Sequence, residues 1–180
     1  MTLTDIANVA LEDIGAKAIG SIDSDDSLAR KLKRRLPITI SEVSSKRSWS
    51  CLMKTIKCSR VVDKNFDGRN KFNAPNGLLK IIEPKMCEVQ GDFIVHNNES
   101  LTITASIVSY NPDDWCDNLR GAIISQLKAD IAYMATGDLH LAGAMAQRSN
   151  IEVEKFMRND YYRTKGKRPK MPTILADHII

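Results

Sequence analysis

The chain has 180 residues, 43% of them hydrophobic and 27% charged, with a formal net charge of +4. That length suits one domain with a sizeable core, or a core with a small insert, and the composition is that of an ordinary globular protein. No apolar run approaches the roughly 18 residues that cross a bilayer, and Met1-Thr2-Leu3-Thr4-Asp5 lacks a signal-peptide pattern, so the sequence predicts no membrane partner and a protein made and kept in a cytoplasm.

In chain order, apolar residues at 3, 6, 7, 10, 11 and 14 form one stripe of an amphipathic first helix. Thr2 or Thr4 is placed to cap it, and Gly15 to end it. A linker, Ala18-Ile19-Gly20-Ser21-Ile22-Asp23, leads to Ser24-Asp25-Asp26, whose acids suit a helix N-terminus. Leu28, Leu32 and Leu36 then recur at four-residue spacing. Pro37 predicts a kink or restart, with helix resuming through Ile40, Val43 and Trp49 to about Met53.

From Ile56 to Tyr110 the period changes. Val61-Val62 precedes a polar run, 63–70, that reads as a loop. Residues 78–82, 87–90, 92–96 and 101–108 alternate and are rich in β-branched side chains, which predicts short antiparallel strands. Gly91-Asp92 and Asn97-Asn98-Glu99 are expected as hairpin turns. Helix returns near Asn111-Pro112-Asp113-Asp114-Trp115 and runs through Leu119, Ile123, Leu127 and Met134. Gly137-Asp138 turns into a last helix carrying Leu141, Met145, Ile151 and Phe156. Beyond Tyr161-Tyr162-Arg163, the bases Lys165, Lys167, Arg168 and Lys170, with Pro169 and Pro172, form a stem that cannot bury a core. The apolar end Ile174, Leu175, Ile179 and Ile180 suits an arm that orders against another subunit.

The fold class read from this order is α+β, mainly α: a helical bundle of about four helices with a small antiparallel β-sheet insert and an extended C-terminal arm. The bundle domain spans 1–163, with helices in 1–55 and 111–163 and the β-insert in 56–110. The arm is 164–180.

Charge is distributed unevenly. Residues 1–27 hold six acids against Lys17 alone, and residues 28–60 hold ten bases against Glu42 alone. The two segments either neutralise each other by packing, or residues such as Arg30, Lys31, Arg34 and Arg35 present a basic face to DNA or an acidic partner. The four cysteines, Cys51, Cys58, Cys87 and Cys116, form no C-x-x-C pair, and His96, His140 and His178 lie far apart. Free thiols are expected, with no disulfide, no metal and no cofactor. Phosphate-loop, dinucleotide and zincin patterns do not occur in the sequence, and the carboxylate pairs Asp25/Asp26 and Asp113/Asp114 fall at helix starts, so catalysis is not expected.

Asn8-Val9-Ala10-Leu11-Glu12-Asp13-Ile14-Gly15, then Ile19-Gly20-Ser21-Ile22, then a long helix toward Trp49, resemble the N-terminal signature of the head-to-tail adaptor (tail tubular protein A-like, or gatekeeper) family of short-tailed bacteriophages. Val89-Gln90-Gly91-Asp92-Phe93-Ile94 resembles that family's β-hairpin. Tyr110-x-Pro112 and Ala129-Asp130-Ile131-Ala132 resemble its closing helices. The resemblance covers about residues 6–163 in element order. Trp49 has no following Phe-Ala, and Pro37 interrupts the second helix, both departures from the pattern.

The resemblance implies a structural virion protein at the head-tail junction, assembled in the host cytoplasm. Copies would form a dodecameric ring joining the portal protein to the tail nozzle protein. The ring would surround double-stranded DNA, without sequence specificity, through packaging, retention and ejection. The arm residues would then meet the portal or a neighbouring copy. The alternative is a DNA-binding protein that uses the basic helix.

Overall fold

The computed structural model describes residues 1–165, with side chains through Thr164. Helix α1 is Leu3–Asp13. Thr2 caps it: its hydroxyl accepts from the Asp5 N–H at 3.2 Å, while the Thr2 N–H donates to the Asp5 carboxylate at 2.7 Å. Ile6, Ala7, Ala10 and Leu11 are its buried stripe. Gly15 closes the end with a φ of 71°, which a side chain would strain.

Helix α2 is Ser27–Ser45. Asp26 caps it, accepting from the Leu28 and Ala29 N–H groups. Pro37 lies inside this helix but on its exposed side, where water can satisfy the carbonyl that loses its partner. The helix stops at Ser45, short of the expected Met53. The Trp49 indole folds back and donates to the Val43 carbonyl at 3.0 Å, and the Lys46 N–H meets the same oxygen at 3.3 Å. The last turn is thus capped by the residue expected to extend it. Trp49 is fully buried, followed by a short 3₁₀ turn, Ser50–Leu52.

Seven strands follow among the described residues: β1 Met53–Cys58, β2 Arg60–Lys64, β3 Asn70–Asn73, β4 Leu78–Glu83, β5 Glu88–Gln90, β6 Phe93–His96 and β7 Leu101–Ile107. They make two antiparallel sheets, one ordered β1-β7-β4 and one β2-β3-β6-β5. Phe72 and Ile94 of one sheet and Cys58, Leu101, Ile103, Ala105 and Ile107 of the other share a second core. This corrects the expectation of a helical bundle with a small β-insert. The β-region is a two-sheet unit with its own interior, and the fold is mixed α+β.

The extra sheet content has an identifiable origin. Strand β3 lies partly in the run read as a loop, because its inward positions are Asn70 and Phe72. Asn70 is buried with its amide donating to the carbonyls of Asn97 and Asn98, a polar interior residue that breaks the apolar alternation. Gly91-Asp92 does join β5 to β6 as a hairpin, with Gln90 opposite Phe93. Asn97–Glu99 does not: β6 and β7 lie in different sheets, so that segment crosses between them.

A 3₁₀ turn at Pro112–Asp114, capped by Asn111, precedes helix α3, Asp117–Thr136. The long helix therefore begins later than expected. Trp115 stays extended so that its ring is buried and its indole reaches the Ser109 carbonyl at 2.9 Å. Gly137, with φ 73°, ends α3, and the Asp138 side chain caps helix α4, Leu139–Lys165. Helices α3 and α4 close on each other at Gly121, where an added Cβ would lie 2.5 Å from the Phe156 ring. The main core draws Leu11, Leu32, Leu36, Ile40, Trp49, Leu119, Ile123, Leu127 and Val153 from all four helices and the connector. Met145 packs against it, half-buried.

Candidate functional site

Three places in the described structure carry distinctive side-chain arrangements, beginning with the two halves of the N-terminal motif. The Asn8 side chain donates to the Ile19 carbonyl at 3.0 Å and accepts from the Ile19 N–H at 2.9 Å. The Thr4 hydroxyl accepts from the Ile22 N–H at 3.2 Å. An asparagine suits this position because its planar amide offers a donor and an acceptor side by side, matching the C=O and N–H of one residue. Helix α1 thus holds the linker through two polar side chains, Asn8 and Thr4.

The second place is the basic face of α2. Arg30, Lys31 and Arg34 are exposed and make no ion pair among the described residues. Their spacing puts Arg30 and Arg34 one turn apart, with Lys31 beside them. Arg35, expected on the same face, is engaged internally instead. Its guanidinium donates to Asp130 of α3 at 2.9 Å and to Glu42 at 3.0 Å, and Thr39 and Gln126 also donate to Asp130. The Asp130 hydrogen bond holds the Arg35 guanidinium above its ordinary pKa. The two charge blocks meet once, through Lys33 and Asp23 at 2.7 Å. Other bases of the second block turn elsewhere: Arg47 donates to the Met157 carbonyl and covers the Tyr161 ring.

The third place is where the β-unit joins the helices. The Cys51 and Cys116 Sγ atoms are 3.0 Å apart, one in the turn before β1 and the other at the cap of α3. Asp160 of α4, almost fully buried, accepts from the Ser50 N–H at 3.1 Å and the Ser50 hydroxyl at 2.6 Å, and lies 3.8 Å from the Cys116 sulfur. The hydrogen bond donated by the Cys51 thiol, helped by the Leu119 amide at the first turn of α3, lowers the Cys116 pKa to about 6 against the opposing effects of burial and Asp160. The same bond and burial push the Cys51 thiol well above its usual value. Cys58 and Cys87 are free thiols in the β-unit, each raised by burial. Nothing in the sequence distinguishes the first pair from the second, because residues 65 positions apart meet only through the fold.

Of the predicted arm residues, Lys165 is the last of helix α4, so the helix takes in the first two positions assigned to the arm. Lys167, Arg168, Lys170, Ile174, Leu175, Ile179 and Ile180 lie outside the described residues. Among the described residues, no group of His, Cys, Asp and Glu side chains is arranged to hold a metal ion, and no helix is long and apolar enough to cross a membrane. No protein-family model and no curated protein matches this chain.

Proposed function

We propose that this chain is a head-to-tail adaptor of a short-tailed bacteriophage, a ring subunit between portal and tail nozzle. The observation that carries the reading is the Asn8–Ile19 clamp. The two motif segments that resemble the adaptor signature are held together as one structural unit, which gives their co-occurrence a physical reason. A long α2, an intervening β-region and a closing α3–α4 hairpin follow in the order the resemblance implies. In this reading the helical body supplies a rigid wedge for a ring, and the segment 164–180 supplies the portal contact. Its stem is basic and its end apolar, a composition that suits contact with a partner.

The test is co-sedimentation of purified full-length protein with purified portal rings, followed by electron microscopy. The expected result is a ring of this protein on the portal, lost on truncation after Arg163 while helical circular dichroism persists. Failure of the full-length protein to join the portal would overturn the reading.

A second reading, duplex DNA binding through α2, is favoured by one observation: Arg30, Lys31 and Arg34 are left without ion-pair partners among the described residues. Phosphate contacts by these cations would give sequence-independent binding that weakens with salt. If Arg30→Glu with Arg34→Glu abolishes DNA binding, and the wild type does not join the portal, this reading replaces the first.

A further inference from the structure

We infer that Cys51 and Cys116 form a redox modification site that accepts small-molecule disulfides of the glutathione class and closes into an internal disulfide. The inference stands independently of the adaptor reading. Its basis is geometric. The sulfur atoms are already at 3.0 Å, and a disulfide needs them to approach by about 1 Å more. Both residues are half-buried rather than sealed. Each sits in a short non-strand connector, so the movement does not break a sheet register.

The roles of the two sulfurs differ. Cys116 stands at the N-terminal end of a 20-residue helix, and the hydrogen bond it receives from Cys51 favours its thiolate. The Cys116 thiolate attacks one sulfur of oxidised glutathione. A protein–glutathione S–S bond forms, the glutathione S–S bond breaks, and the departing glutathione thiolate takes up the proton that Cys116 released. Cys51 then loses its proton and attacks the Cys116 sulfur. The protein S–S bond forms, and the second glutathione leaves as a thiol with that proton. The protein dithiol is oxidised and glutathione disulfide is reduced to two thiols, so atoms and electrons balance.

Closure ties the entry of the β-unit to its exit. Cys51 precedes β1 by one residue, Leu52, and Cys116 follows the last strand, so all seven described strands lie within the linked loop. Asp160 holds Ser50 next to this bond from α4 and fixes the connector against which it closes.

The experiment incubates the full chain in glutathione buffers of graded oxidised-to-reduced ratio, followed by acid quench, intact mass and peptide mapping. The expected result is loss of two hydrogens, a Cys51–Cys116 linked peptide, and a melting temperature higher by about 5–10 °C. Cys51→Ser should retain one glutathionyl group on Cys116. A Cys58→Ser/Cys87→Ser double variant should oxidise like the wild type. Native protein that stays reduced in a buffer that oxidises the unfolded chain would overturn the inference, and so would a link that maps to any other cysteine pair.

Discussion

The helical body and the β-unit are built by different rules from one chain. Among the described residues the body encloses a core of twenty buried side chains, among them Trp49 and Trp115, and side-chain caps start helices α1, α2 and α4. The β-unit's core cluster holds seven among the described residues, with Val95 buried outside it, and the unit carries exposed apolar side chains at Val62 and Phe66, 96% and 93% exposed. A core of that size supplies far less burial energy than the body's. The body is therefore expected to be the stable partner, and the β-unit to open locally while the helices remain folded. The contrast sets the number of hydrogen bonds against the apolar surface buried, and it predicts that the region with less burial is the weaker one, because backbone pairing contributes modest net stability.

The largest expected effects test that contrast directly. Phe72→Ala removes the one aromatic ring of the β-core and should cost about 3–5 kcal/mol, and Leu127→Ala in the body about 2–5 kcal/mol. Hydrogen exchange separates them: the Phe72 variant should lose protection only across the strands, and the Leu127 variant across all four helices. Uniform loss in both would make the two regions one cooperative unit.

Asn8→Ala should come next. It leaves the Ile19 N–H and carbonyl without their partner, a cost of about 1–3 kcal/mol. Faster amide exchange at residues 18–22, with α3 and α4 unchanged, would localise the effect to the motif. Equal protection in variant and wild type would mean that the clamp does not hold the linker.

The smallest effect is electrostatic and belongs to the body. Burial disfavours the Glu152 carboxylate, but hydrogen bonds from Ser125 and Arg148, with Lys128 nearby, hold its pKa below the ordinary glutamate value of 4.5. A depressed folded pKa contributes stability above the unfolded value, and that contribution is lost as pH falls through the folded one. The wild type should therefore lose up to about 1 kcal/mol more than Glu152→Gln on acidification below pH 4.5. Parallel pH profiles would remove Glu152 from the account.

Much of the body could be read from residues alone. The stripe of α1, the Gly15 and Gly137 stops and the α3–α4 hairpin follow from local spacing and backbone freedom. The misreadings share a cause. Trp49 and Trp115 fit a helical period, yet each indole folds back onto a carbonyl six residues upstream and is buried, and tertiary burial overrides local preference. Strand β3 was hidden because its inward position 70 is the polar Asn70, which falls in the run 63–70 read as a loop. In the candidate sites, Arg30, Lys31 and Arg34 were legible as a basic face. Asp130, which removes Arg35 from it, lies 95 residues away and has no local signal.

The adjacency of Cys51 and Cys116 has a consequence for how the gene can change. The chain leaves the helices and returns to them at nearly one point, so residues 53–107 are a cassette plugged into a continuous scaffold. A segment of different length, or a different β-structure, can occupy that socket without rethreading α1 to α4, provided its two ends meet there. The scaffold is then free to persist while the cassette diverges, and a chimera that carries a foreign β-segment between Leu52 and Val108 should retain the helical fold.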